Sequence, residues 1–216
     1  MTTDERSREE HRPDERSREE HRPDLAAADK VLAGLRPFPV AVTTIDGGVA
    51  NGLISLSAGS ASIVPELPRA TVSLTKYNKS HDMLVNSGVF VMHMLSAAPD
   101  EIDASMDILM TLGGSSGRDG DKIAKLRTKP GVTGAPILLD AHSYVECRIT
   151  GSLDNDENTI FVGDVVAAEV FSSAQRLRIG EAWGKLPHEW IERYEANHEP
   201  QLQSARDLRA AAAQSV

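Results

Sequence analysis

Three short segments hold most of the residues that could grip an anion: NGLISLS (51–57), TKYNKSHD (75–82) and LGGSSGRDGDK (112–122). In the second, Lys76, Asn78 and Ser80 stand where a strand turns into a helix. An ammonium, a carboxamide, a hydroxyl and the helix's first N–H groups can there converge on one phosphate. In the third, successive Gly and Ser residues expose backbone N–H groups, and Arg118 adds a planar cationic fork. In the first, Asn51-Gly52 precedes Ser55 and Ser57, whose alternation puts both hydroxyls on one strand face. Each segment also has a plain structural reading. Ser80 suits a helix N-cap with Asp82 in the first turn, Asp119 suits the cap of the next helix, and the two serines suit a wet strand face.

Competing chemistries lack their residues. No G-x-x-x-x-G-K-[ST] runs through the Gly/Ser loop, no G-x-S-x-G elbow occurs, and no G-x-G-x-x-G follows a strand. His188-Glu189 begins like a zinc-protease helix, but position 192 is Glu. The seven histidines show no metal spacing, so no metal site is expected. Cys147 is the only cysteine; it lies mid-strand in YVECRI and reads as a small buried hydrophobe.

A formal charge of −9 over 216 residues argues against general nucleic-acid or anionic-membrane binding, since both need a basic footprint. No run of about 18 apolar residues occurs, and the N-terminus has no apolar signal-peptide core. A cytoplasmic soluble protein is the expectation. DERSREEHRP occurs twice in tandem, at 4–13 and 14–23, with no apolar face to stack. Residues 1–24 read as a disordered charged arm.

From Leu25 the pattern is that of a globular domain. AAADKVLAGL is a short helix, and 38–45 and the VANGLISLSA segment form a hairpin around an Asp-Gly turn. Segment 69–77 alternates with period two, 78–87 is a turn and short helix, and 89–95 is a strand. Residues 99–112 are helical, DKIAKL is a further short helical stretch, and the chain is helical again from Pro187. PILLDAHSYVECRITG and NTIFVGDVVAAEVF read as one long antiparallel pair around the DNDEN turn. Six or more antiparallel strands with few helices predict a mainly β fold, a closed or nearly closed barrel with short helices.

The last of these strands is apolar on both sides. Ile160, Val162, Val166, Ala168 and Val170 fall on one face; Phe161, Val165, Ala167 and Phe171 fall on the other. A half-solvated strand should alternate apolar with polar. One face is expected in the barrel and the other under a helix or a second subunit, a homodimer being the more economical cover. Trp183, Trp190 and Tyr194 are expected to pack the last helix on the barrel or across the dimer.

Taken in order, five segments resemble the flavin reductase-like FMN-binding split-barrel family, in its flavoredoxin and rubredoxin-linked NADH:FMN oxidoreductase branch. They are FPVAVTTIDGGVANGLISLS, SLTKYNKSHDMLVNSGVFVMHML, SGRDGDKIAKL, TGAPILLDAHSYVECRI and NTIFVGDVVAAEVF. The resemblance implies a split-barrel domain over 25–180 with a C-terminal helical extension, 181–216. It implies noncovalent FMN at a homodimer interface, with NADH or NADPH as electron donor. Asn51, Gly52, Ser55 and Ser57 would line the flavin. Lys76, Asn78, Ser80 and His81 match the family's K-x-N-x-[ST]-H turn, and Ser116, Gly117, Arg118, Asp119 and Lys122 its S-G-R-D-x-D-K loop. Hydride transfer to a flavin needs positioning more than an acid or base, so no catalytic residue is assigned.

The chain departs from the family at two places. Asn158 stands where Gly-x-His-Thr-Ile would place histidine; it keeps hydrogen bonding but cannot become cationic, and it is the candidate substrate contact. Leu56-Ser57 stands where relatives show an Asn-x-Thr-like pattern, which makes that flavin edge less polar. The implied activity is an FMN-dependent NAD(P)H oxidoreductase that serves an electron-accepting protein or a monooxygenase. The alternative is an FMN-binding carrier, sensor or electron-transfer protein with no NAD(P)H turnover of its own.

Overall fold

The computed structural model describes residues 23–214, so the reading of the tandem repeat falls outside the described residues. The described residues fall into two compact units, divided between Leu35 and Arg36. In the first, the Asp24 carboxylate opens helix α1 (Leu25–Gly34), accepting from the N–H groups of Ala26 at 3.0 Å and Ala27 at 3.1 Å. A charged N-cap satisfies otherwise orphaned donors and suits the helix dipole. No residue of α1 is buried.

The second unit begins with strands β1 (Val40–Asp46) and β2 (Val49–Ser55). Gly47 and Gly48 join them with φ of +55° and +82°. Two positive φ angles give the turn whose twist matches the flanking strands, and glycine adopts them without a Cβ clash. There follow β3 (Ala58–Ser60), β4 (Arg69–Thr75), helix α2 (Lys79–Ser87), β5 (Val89–Met94) and helix α3 (Ile102–Gly113). After a 3-10 turn at Ile123–Lys125 come β6 (Thr128–Pro130), β7 (Pro136–Leu138), β8 (Ser143–Asn155) and β9 (Asn158–Val170). Helices α4 (Ile179–Trp183) and α5 (His188–Ala213) end the fold.

Seven strands form one antiparallel sheet in the order β2-β1-β5-β8-β9-β4-β3, and β6 and β7 pair separately. The two edges, β2 and β3, are consecutive in sequence with only Leu56 and Ser57 between them. A sheet whose opposite edges are one bent strand must curl round on itself, which is the predicted barrel. The Ser55 hydroxyl secures the bend: it accepts from the Ser57 N–H at 3.1 Å and donates to the Ser73 carbonyl at 3.4 Å.

β1 is the strand buried on both faces. Val40 and Val42 point inward with Val72, Leu84, Phe90 and Phe161. Ala41, on the other side, packs with Leu109, Leu112, Leu177 and Leu186 beneath the helices. α3 supplies its share through Met106, Ile108, Leu109 and Leu112, an apolar stripe at helical spacing. Burying each such side chain contributes about 1.5–3 kcal/mol.

β9 differs from the even alternation predicted for it. Val165 pairs with Cys147 and Ala167 with Glu146, so Val166 is an extra residue, a β-bulge. Val145 pairs with Ala168 and shares a β8 face with Cys147. Val165 and Ala168 therefore lie on one side of the sheet and Ala167 on the other. Nor are both faces covered within the chain: Val166 is 42% exposed, Val170 71% and Phe171 37%.

Other expectations need smaller corrections. PILLDAHSYVECRITG is two strands, β7 and β8, because residues 139–142 turn away from the β6–β7 ribbon. The hairpin turn shrinks to Asp156-Glu157, with Asn155 opposite Asn158 and Asp156 taking the positive φ of +56°. Helix α2 starts at Lys79, so Asn78 is its N-cap and Ser80 lies in its first turn. Asp121, not Asp119, caps the 3-10 turn by accepting from the Ala124 N–H at 3.1 Å.

Two buried polar groups brace the barrel. The His93 ring accepts from the Leu138 N–H through Nε2 at 3.0 Å, so Nδ1 is the protonated nitrogen facing the Ala41 carbonyl at 3.1 Å. Burial lowers its pKa to about 4, and it stays neutral. The fully buried Glu146 carboxylate accepts from the N–H groups of Val132 at 3.0 Å and Thr133 at 2.6 Å, pinning the β6–β7 loop.

Candidate functional site

The start of α2 is where the predicted segments meet. Asn51 on β2 is 3% exposed and donates from Nδ2 to the Ser80 hydroxyl at 3.0 Å. Lys79 donates to the Gly117 carbonyl at 3.1 Å, and Arg118 donates from Nη1 to the Tyr77 carbonyl at 2.7 Å. The Arg118 guanidinium also lies over the Tyr77 ring at 5.9 Å and 3.9 Å from the Asp82 carboxylate. Residues near 51, 79 and 117 are thus joined by direct hydrogen bonds.

Two glycines allow the approach. A Cβ on Gly117 would lie 2.3 Å from the Asn51 Nδ2, and one on Gly52 would lie 2.7 Å from the Val42 carbonyl oxygen. Any side chain at either position would displace what it met.

The N-terminus of α2 carries no side-chain cap. The Asn78 carboxamide instead donates to the Thr75 hydroxyl at 2.6 Å. The helix's first-turn N–H groups are therefore free of the usual side-chain acceptor, an arrangement that favours an anion.

The turn's other residues face the β8–β9 hairpin. Lys76 binds both oxygens of Asp154, at 2.7 and 2.8 Å, and its own N–H donates to the Glu157 carbonyl at 3.0 Å. That ion pair lowers the Asp154 pKa. It also leaves the Lys76 charge largely neutralised. His81 contacts the Thr159 hydroxyl through Nε2 at 2.9 Å and the Asp82 carboxylate through Nδ1 at 3.1 Å. Phe161 lies beside its ring, with centroids 5.7 Å apart. Asn158 sits opposite Thr75 in the β4–β9 register.

Some predicted residues shape the site from behind it. Lys122 is 6% exposed and donates to the Leu112 carbonyl at 3.0 Å and the Ser115 carbonyl at 2.9 Å. Burial lowers its pKa to about 8, with Asp119 opposing the shift. Its ammonium thus anchors the Gly/Ser loop to the end of α3. Ser116 folds that loop by accepting from the Arg118 N–H at 3.1 Å, and its carbonyl accepts from the Asp119 N–H. Ser55 and Ser57 are not brought to the α2 node. They lie four and six residues past Asn51, where β2 bends into β3, and the Ser55 hydroxyl is committed to that bend.

Sequence reading missed Lys79, Thr159, Asp154 and Glu157. Lys79 was legible in principle, since it neighbours the singled-out Asn78 and opens the helix. Of the hairpin only Asn158 was singled out, because the partners of Asp154, Glu157 and Thr159 depend on the β4–β9 register that sets Asn158 beside Thr75.

The model for the family described as flavin reductase like domain matches residues 34–181. A ferric-chelate reductase (NAD(P)H) of Archaeoglobus fulgidus is 27% identical over 132 residues, 61% of this chain and 71% of that protein. An FMN reductase (NADH), SmoA, of Agrobacterium fabrum is 26% identical over 135 residues, 62% of this chain and 72% of its own length. Among solved structures, an FMN-binding protein of Thermus thermophilus superposes with a TM-score of 0.55 at 23% identity, over 62% of this chain and 70% of that one. At that identity the likeness is one of fold.

Proposed function

The chain belongs to the flavin reductase like domain family, and from this premise we propose that it is an FMN-dependent oxidoreductase drawing hydride from NADH or NADPH. What carries the reading is the bonding that ties Asn51 to Ser80, Lys79 to Gly117 and Arg118 to Tyr77, three segments far apart in sequence. The residues present suit FMN. The uncapped first turn of α2, the Ser80 hydroxyl and Arg118 would hold its phosphate, as a helix N-terminus and a cationic fork hold anions. Gly52 and Gly117 let β2 and the Gly/Ser loop close tightly about Asn51, which sets the backbone that would border a flat ring.

When bound, FMN supplies the two-electron chemistry that no side chain of this protein supplies. The protein's own part is placement. Lys122 fixes the loop that carries Gly117 and Arg118, and His81, held between Thr159 and Asp82, fixes α2 against the hairpin. Asn158 is the proposed contact for the nicotinamide donor. A second copy of the chain would cover Val166, Val170 and Phe171, which supports a homodimer. An electron-accepting protein or a monooxygenase would receive the reduced flavin.

Anaerobic mixing of purified protein with FMN, then NADH or NADPH, tests the reading. Saturable FMN binding followed by bleaching of the flavin absorbance is expected. Protein that shows no affinity for FMN overturns it. Asn158 favours the second reading, a flavin carrier without turnover, because its amide cannot become the cation a histidine provides. Bound FMN that neither nucleotide bleaches would establish that alternative.

A further inference from the structure

The second half of α5 is held differently from the first. Trp190, near the start, is the one buried residue of this 26-residue helix. It donates to the Met110 carbonyl at 3.2 Å and stacks on Tyr194 with ring centroids 5.3 Å apart. Pro200 then interrupts the ladder, since it has no N–H to give the carbonyl one turn back. Beyond it, Gln203, Ser204, Asp207 and Leu208 lie along one face of the helix. Gln203 bonds Asp207, and Arg206 bonds Glu199, within the helix itself. Arg209 reaches the β8–β9 hairpin, donating from Nε to the Glu157 carboxylate at 2.7 Å.

Glu157 is also tied to the proposed donor contact. Its second oxygen lies 3.4 Å from the Asn158 Nδ2. The Asn158 Oδ1 is solvent-inaccessible and is the one buried side-chain polar atom without a hydrogen-bond partner among the described residues. An acceptor deprived of both water and donor is a standing cost to the state that buries it. The Arg209 side chain is 61% exposed and that of Glu157 17%, so the pair can part without disturbing the core.

We propose that the half of α5 after Pro200 is a strap whose Arg209–Glu157 latch withholds the Asn158 acceptor, and that opening the latch admits the electron donor. The inference rests on the proposed function and extends it to a segment beyond the family match, which ends at 181. A ligand that offers an N–H to Asn158 binds the open state better and so draws the strap aside. Arg209 here acts through Glu157 and is a positioning residue.

Arg209→Gln and Glu157→Gln test this in the full-length protein. Both are expected to lower the KM for NADH or NADPH by roughly two- to fivefold, the range over which an exposed ion pair shifts an equilibrium. FMN affinity should stay within about twofold, and Arg209→Lys should restore the higher KM in part. The ratio of wild-type to Arg209→Gln KM should approach one as salt rises, because screening opens the wild-type latch too. Amide hydrogen exchange at 153–160 should quicken in both variants, a readout that needs no turnover. Unchanged exchange there overturns the strap whether or not flavin binds. A KM that is unchanged or raised overturns it as well. Wild-type protein that fails to bind FMN would instead count against the proposed function.

Discussion

Gly117→Ala is the sharpest probe of the cradle. The new Cβ would lie 2.3 Å from the Asn51 Nδ2 and 2.4 Å from its Oδ1. Asn51 is 3% exposed and has no room to withdraw. Either its bond to the Ser80 hydroxyl breaks or the loop lifts away. Overpacking of this kind costs about 1–3 kcal/mol, and a lost hydrogen bond about 0.5–1.5 kcal/mol. Ser115, Ser116 and Asp119 are exposed, so the loop moves more easily than β2 does. The penalty therefore falls on the assembled cradle and little of it on the fold. A loss of about 2 kcal/mol corresponds to roughly 30-fold weaker FMN binding, with the unfolding midpoint nearly unchanged. Gly151→Ala is the control, because a Cβ there meets nothing within 4 Å. Fluorescence titration of FMN reads both variants. Should Gly117→Ala bind FMN as tightly as Gly151→Ala, the cradle assignment is wrong.

Three further outcomes are expected. His93 titrates near 4 in the fold against about 6.5 in the unfolded chain, so only the unfolded chain gains a proton between those values. Stability should therefore fall as pH drops from about 6.5 to 4, by about 3 kcal/mol in all, and level off below. Urea unfolding of wild type and His93→Asn across this range should show the difference, and parallel pH profiles would refute it. Gly114→Ala places a Cβ 2.3 Å from the Trp190 Nε1, and should cost about 1–3 kcal/mol with a shift in tryptophan emission. Unaltered emission and melting would mean that α5 does not brace the loop there. Asn158→His restores a side chain able to become cationic and should raise kcat/KM for the nucleotide at pH 6 more than at pH 8; a pH-independent effect would rule out charge as the cause.

Much of the fold was legible because its rules are local. Period-two alternation marked β4, an Asp-Gly pair announced the first hairpin although the turn itself falls on Gly47-Gly48, and 99–112 was legible as a helix. The family was legible too, since its marks are short motifs that survive without their surroundings. The bulge at Val166 was not, because an extra residue in one strand can be recognised only against its partner. The same limit explains β1 and β9: burial on two faces depends on what packs there, and exposed Val170 has the same side chain as buried Val42.

For the site, sequence alone determined which residue types were available: the Asn51-Gly52 pair, the Lys76–His81 turn, the Ser116–Lys122 loop and the absence of a histidine at 158. Tertiary structure decided which groups each one bonds. Lys122, read as a ligand, spends its ammonium on two backbone carbonyls; Ser55, read likewise, holds a bend; and Ser80, read as a cap, receives Asn51. The physical reason is that a polar side chain's role is fixed by whichever partner reaches it first within about 3 Å. Partners separated by 29, 38 or 52 residues, as in Asn51–Ser80, Lys79–Gly117 and Glu157–Arg209, meet only once the barrel has closed.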